Sequence, residues 1–203
     1  MIRQEPIISA VVLAGGQSQR LGRDKAFLPV GGQPLVAYVV ETLSALSDDV
    51  IVVANNLEVY EDLGLRARLT RDEERGKGSL MGIYSGLKLA RHEYALAVAC
   101  DMPFLNVDLL RYMVGLVPGY DVVVPRDGDL VEPLHAIYGK ACLDPMAIQL
   151  QAAKRRIIAF FDAVRVRYVE AAEIAQFDPD RLSFVNINTP ADWDHFQELK
   201  REA

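Results

Sequence analysis

Cysteine is nearly absent: the 203 residues contain two, Cys100 and Cys142. Their separation matches neither a C-x-x-C redox pair nor a four-ligand zinc site, and a reducing, cytoplasmic setting is expected. Histidine is almost as scarce, with three. His92 and His195 fall on helical segments with no metal-ligand partner at i+3 or i+4, so neither points to a metal centre. Positive charge is short as well: 22 Lys+Arg stand against 28 Asp+Glu, a net charge of −6. The resulting pI near 5.1 is the opposite of the footprint of a general nucleic-acid binder, so any phosphate site must be a local basic patch. Long apolar runs are missing too. Ile7–Ala14 falls far short of the roughly 20 residues of a membrane span. Glu5 and Pro6 spoil a basic leader before it, and the run ends in Gly15-Gly16 and polar residues, as a buried strand ending in a functional turn does. No repeat, low-complexity tract or linker interrupts the chain, and a single domain over residues 1–203 is expected.

What is present is an alternation of short β-branched apolar runs with segments of helical period, the pattern of an α/β fold around a largely parallel sheet. Strands are expected at Ile7–Leu13, Asp49–Ala54, Tyr94–Cys100, Tyr120–Val124, Leu134–Tyr138, Val166–Val169 and Ser183–Ile187. Helices are expected from Pro34, over Leu80–Arg91, after the cap Asn106, over Pro145–Ala153 and Arg156–Val164, and from Pro190 to the end. Asp127-Gly128-Asp129 reads as a tight turn, because the remaining ligands of a calcium loop are missing.

The segment after the first strand, Leu13 to Lys25, is the most informative. It is glycine-rich and carries three cations, Arg20, Arg23 and Lys25. Glycines let backbone N–H groups approach an anion, and the cations supply charge and directed donors for phosphate oxygens. Its place at the carboxyl end of the first strand is where open α/β sheets bind nucleotides. Gly15, Gly16 and Gly22 fit neither G-x-G-x-x-G nor G-x-x-x-x-G-K-[ST], so neither the dinucleotide fingerprint nor the P-loop applies. Asp101 follows a strongly apolar strand, and its carboxylate would sit at the same sheet edge. It can hold Mg²⁺ or cap a turn.

From Leu13 to Lys25 the chain resembles the signature L-A-G-G-x-S-x-R-M-G-x-D-K of the Rossmann-like nucleotidyltransferases that guanylylate the molybdenum cofactor, with Leu21 in place of Met. The resemblance continues at Gly32–Leu35, Gly78–Gly86, Cys100–Phe104, Glu132–Leu134 and Phe184–Pro190, nearly the whole chain. It implies a three-layer α/β/α fold with a mostly parallel mixed sheet. The implied reaction transfers GMP from GTP to molybdopterin cofactor, releasing pyrophosphate. By the same resemblance, Leu13, Ala14, Gly15 and Gly16 hold base and phosphates, Lys25 and Arg20 neutralise the triphosphate, and Asp101 binds Mg²⁺. Asn55 and Asp72 then contact the nucleotide, although turn chemistry and a solvated acidic stretch would also explain them. Asn186 and Asn188, alternating on the last expected strand, would face one site on the pterin side, or would satisfy the following turn. Ser79 stands where the family has Pro, which removes a rigid φ from the loop after Asp72. Arg155-Arg156 either binds the second substrate's phosphate or faces solvent. His135, near the expected substrate side, is accounted for by packing or hydrogen bonding. The alternatives are cytidylyl transfer to the same cofactor, nucleotidyl transfer to another phosphorylated metabolite, and a non-catalytic nucleotide-binding or cofactor-binding protein. Neither nucleic acid nor membrane is an expected partner, and transient contact with cofactor-synthesis or acceptor proteins is.

Overall fold

Runs of Val, Ile and Ala that are apolar on both faces suit strands covered on both sides, and in a computed structural model, which describes residues 6–15 and 24–202, they form the centre of one sheet. The chain order is β1 (Ser9–Leu13), a 3-10 turn at Lys25–Phe27, β2 (Pro29–Val30), β3 (Gln33–Pro34), α1 (Leu35–Ser44), β4 (Val50–Val53), α2 (Glu58–Glu61), β5 (Arg68–Thr70), α3 (Ser79–Leu89) and β6 (Tyr94–Ala99). There follow α4 (Val107–Gly115), β7 (Val122–Asp127), β8 (Leu130–Val131), β9 (His135–Gly139), α5 (Leu143–Gln151), β10 (Val166–Glu170), α6 (Ala171–Ile174) and α7 (Pro190–Glu202). The large sheet runs β10-β7-β9-β6-β1-β4-β5, with β8 on β7. β1 pairs in parallel with β4 and β6, and β4 with β5, whereas β9 lies antiparallel between β6 and β7. The sheet is therefore mixed and mostly parallel.

Period-two alternation sends Ala10 and Val12 to one face and Val11 to the other. The first face packs with Val36, Val40 and Leu43 of α1 and Leu109, Leu110 and Met113 of α4. The second packs with Leu80, Ile83 and Leu87 of α3 and Met146 and Leu150 of α5. Helices thus cover both faces. Among the described residues, no helix is long and apolar enough to cross a membrane.

The register decides where chemistry can gather. Leu13 lies opposite both Val53 and Ala99, and Val53 opposite Thr70. Four parallel strands therefore end level, and the next residues, Ala14-Gly15, Ala54-Asn55, Arg71-Asp72 and Cys100-Asp101, share one edge. Neighbouring strands lie about 4.8 Å apart, so the three intervals from β5 to β6 set Asp72 and Asp101 about 14 Å apart along it.

At the opposite end of the strands the buried Asp49 joins three segments. It accepts from Ser9 Oγ at 2.6 Å, Arg68 Nη2 at 2.6 Å and Arg91 N at 2.9 Å. Burial works against its ionisation, but these donors together outweigh it and hold the carboxyl below its ordinary value.

One expectation is corrected. Residues 183–187 are not a strand: Leu182–Phe184 is a 3-10 turn, because Asp178 draws in the N–H groups of Leu182 and Ser183 at 3.0 and 2.9 Å. Beyond it Ile187 N reaches the sheet edge, donating to Asp101 O at 2.9 Å. The helical stretch expected over Arg156–Val164 is present as the 3-10 helix Ile157–Ala163. The edge strand β5, with the short sequence Arg-Leu-Thr, was not among the expected strands.

Helix α3 approaches β1 closely because Gly82 and Gly86 face it. A Cβ at Gly86 would lie 2.4 Å from Val11 Cγ1, and one at Gly82 2.9 Å from Leu13 Cδ2. Gly86→Ala is expected to destabilise the fold by about 1–3 kcal/mol in urea unfolding, since overpacking of a close-packed contact outweighs the better helix propensity of Ala. Adding Val11→Ala is expected to recover part of that loss.

Candidate functional site

A cleft of about 710 Å³ opens over the level strand ends. It is lined by Leu13 at the end of β1, Ala14 and Gly15 after it, Asn55 and Asn56 after β4, and Asp72 after β5. The structure thus brings together five of the expected nucleotide contacts. Gly15 stands close to the β4 turn: a Cβ there would be 3.4 Å from Asn55 Nδ2. Asn55 Nδ2 donates to Asp72 Oδ2 at 3.0 Å, and Arg75 Nη2 donates to Asn55 O at 3.2 Å. Burial raises the Asp72 pKa, with the Asn55 bond working against it. Asn55 Oδ1 is buried and has no partner among the described residues.

The floor of the cleft is completed by the start of α3. Gly78, with φ +79°, turns the chain into the helix, and no side chain caps it. Ser79 occupies the first helical position and, unlike a Pro there, offers a backbone N–H. An uncapped first turn of this kind presents backbone N–H donors to the cleft.

Next to this cleft lies a second group. Lys25 Nζ pairs with Asp101 Oδ2 at 3.0 Å and donates to Asn188 Oδ1 at 2.7 Å. The Lys25 and Asp101 side chains are 17% and 19% exposed, so the pair is sheltered but open to a ligand. Asp24 caps the turn that carries Lys25, accepting from Ala26 N at 3.1 Å. Asp192, at the start of α7, accepts from the N–H groups of Asn188 and Thr189 at 2.8 and 2.7 Å, and these bonds hold its carboxyl below the usual value. The terminal helix therefore fixes Asn188, and Asn188 fixes the lysine.

Asn186 does not join it. With no strand over 183–187 the expected parity fails, and Asn186 Nδ2 donates to Phe184 O at 3.3 Å, inside its own turn. Gly16 and Arg20 lie outside the described residues. Arg155 lines the cleft, whereas His135 is fully buried, packs edge-on against Phe184 with ring centroids 4.9 Å apart, and is pushed down to about 4 by burial. A neutral packed histidine at pH 7 follows.

Sequence reasoning missed three residues here. Tyr60 donates its hydroxyl to Ala14 O at 3.0 Å, lies 3.5 Å from Asp24 Oδ2 and packs on Phe27 at 5.2 Å. Burial and the Asp24 charge raise its pKa, which keeps the phenol a donor. It thus touches the glycine-rich segment near both of its ends. Asp24 could have been found as the cap before a short helical turn. Arg75 carried no signal beyond membership of a charged stretch.

The arrangement suits phosphate chemistry. Among the described residues no group of three or more His, Cys, Asp or Glu could hold a metal ion. Mg²⁺, however, takes one or two carboxylates with substrate phosphates and water, and the single sheltered carboxylate of Asp101 fits that donor set. Cys100 beside it is no nucleophile, since burial pushes its thiol pKa far up.

Comparison with known proteins bears on the same edge. The family model described as the MobA-like NTP transferase domain matches residues 10–167. A probable molybdenum cofactor guanylyltransferase of Pelotomaculum thermopropionicum is 39% identical over 184 residues, covering 91% of this chain and 89% of that protein. A molybdenum cofactor guanylyltransferase of Desulfosudis oleivorans is 38% identical, with 90% of each chain covered. The crystal structure of molybdopterin-guanine dinucleotide biosynthesis protein A from Archaeoglobus fulgidus superposes with a TM-score of 0.84 at 28% identity, covering 97% of this chain and 100% of that one. The sheet edge, its cleft and the lysine–aspartate pair thus stand in a Rossmann-like nucleotidyltransferase fold, and the chain belongs to the MobA-like NTP transferase family.

Proposed function

We propose that the protein transfers GMP from GTP to the phosphate of molybdopterin cofactor, forming the guanine dinucleotide cofactor and pyrophosphate, with the whole chain, 1–203, as one catalytic domain. The observation that carries this reading is the Lys25–Asp101–Asn188 cluster beside a nucleotide-sized cleft that Asp24 helps to line, in a chain 39% identical to a probable guanylyltransferase of that cofactor.

The base and ribose lie over Leu13, Ala14, Gly15, Asn55 and Asp72, and the triphosphate runs along the edge toward Lys25 and Asp101. Gly16 and Arg20 of the glycine-rich segment belong to the phosphate end in this reading. An oxygen of the molybdopterin phosphate attacks the α-phosphorus in line, a new P–O bond forms, and the bond to the bridging oxygen breaks with pyrophosphate as the leaving group. No protein nucleophile is needed, because the attacking phosphate is already anionic. Positioning and charge neutralisation supply the catalysis. Lys25 neutralises the phosphate oxygens, held in place by Asn188 and by the Asp24 cap. Asp101 would hold Mg²⁺, which when bound neutralises charge on the phosphates. Asn188 is then a positioning residue for the lysine, and Asn186 supports its own turn.

Lys25→Ala and Asp101→Ala are each expected to lower kcat by about 10²–10³-fold, the usual cost of removing a group aimed at developing charge. Turnover of GTP with molybdopterin cofactor, followed by mass detection of the dinucleotide product, checks this. Near-native rates in both variants would contradict the assignment, and faster turnover with CTP would replace guanylyl by cytidylyl transfer. The two asparagines separate the same way. Asn188→Ala is expected to reduce kcat at least about tenfold, the worth of one hydrogen bond to a charged group, while Asn186→Ala stays near wild type. Equal losses in the two would contradict the positioning role.

A further inference from the structure

We infer that Arg75 selects the base: its guanidinium donates to the O6 edge of guanine while Asp72 accepts from the opposite end of the same edge. The inference rests on the nucleotide reading of the cleft and adds to it a determinant of which nucleotide is taken. Phosphates belong at the Lys25–Asp101 end, so a base about 14 Å away along the edge reaches the turns after β4 and β5. There the cleft offers Asp72, Asn55 and Arg75.

The hydrogen-bonding polarity of these groups is uneven. Asp72 is an acceptor with one bond, from Asn55 Nδ2, and Asn55 Oδ1 is a buried acceptor with no partner among the described residues. Arg75 is the donor. One of its N–H groups is anchored on Asn55 O at 3.2 Å, and no ion pair joins it to Asp72 among the described residues, so the two charges do not satisfy each other. Guanidinium carries five N–H donors in a planar fork, which leaves donors for a ligand once one is anchored.

Guanine is the base whose edge matches this set. It presents N1–H and the N2 amine as donors beside O6 as an acceptor, with N7 following O6 on the adjoining edge. Adenine places an amine where O6 would be, which sets donor against donor at Arg75. Cytosine, turned end for end, offers its amine to Asp72 and O2 to Arg75 but places the acceptor N3 where guanine has the donor N1–H, so it gives the Asp72 carboxylate one hydrogen bond fewer. The exposed Arg75 makes one hydrogen bond to the fold among the described residues, so its removal is expected to leave the fold intact.

The test measures nucleotide binding to the full chain with Mg²⁺ and without an acceptor substrate. GTP, inosine triphosphate, the triphosphate of 2-aminopurine riboside, which lacks O6, and CTP are compared in wild type and Arg75→Ala. Arg75→Ala is expected to weaken GTP and inosine triphosphate about tenfold or more, the discrimination expected of a good arginine–guanine contact, and to leave the 2-aminopurine analogue unchanged. Equal weakening of GTP and the analogue would show a contact to phosphate or ribose, or a merely structural role for the Asn55 bond, and would overturn the inference, as would no weakening at all. Wild-type preference for CTP would overturn the guanylyl reading itself, and the inference with it.

Discussion

The level ending of β1, β4, β5 and β6 is the constraint on which the site depends. Parallel pairing that sets Leu13 against Val53 and Ala99, and Val53 against Thr70, leaves each following residue at the same height. Side chains separated by as many as 87 positions, from Ala14 to Asp101, then line one edge. Shifting one strand by a single residue would turn its side chains to the opposite face and bury or withdraw its functional residue. The glycines of α3 serve the same geometry, since only a helix without Cβ atoms at 82 and 86 can lie this close to Val11 and Leu13.

Charge is concentrated where this edge needs it. The chain as a whole carries −6, yet Lys25 stands beside the cleft and Arg75 and Arg155 line it. A single nucleotide is small enough to be held by such a cluster, whereas a nucleic-acid polymer would meet the acidic remainder of the surface. Within the cluster, Lys25 is held from several sides: Asp101 pairs with it, Asn188 accepts from it, and Asp24 caps its turn. Asp192 and Tyr60 hold those holders in turn. A lysine with less support would have more side-chain freedom to lose when a triphosphate binds.

Much of this was legible in the residues themselves. Each of the central strands is an apolar run ending in a turn residue or an acid, so Ala14, Asn55 and Asp101 could be placed at an edge before any coordinates. Asp72 was harder, because β5 is three residues long and its Arg-Leu-Thr sequence has no clear period. The asparagines show why parity reasoning has limits: it presumes a strand, and the acceptor Asp178 makes a 3-10 turn of that segment, a side-chain effect with no period to read. Tyr60 was hidden for a similar reason, as its hydroxyl matters through contacts to Ala14 and Asp24, which are remote in the chain.

The central claim is that the edge orders a nucleotide, with its phosphates and their metal at Asp101. Its most direct test is the Mg²⁺ dependence of GTP affinity in wild type and Asp101→Asn. In wild type, affinity should rise with Mg²⁺. In the variant, the rise should be lost, while affinity without metal should be no weaker, because a carboxylate that repels the phosphates has been removed. An undiminished Mg²⁺ dependence in Asp101→Asn would contradict the account.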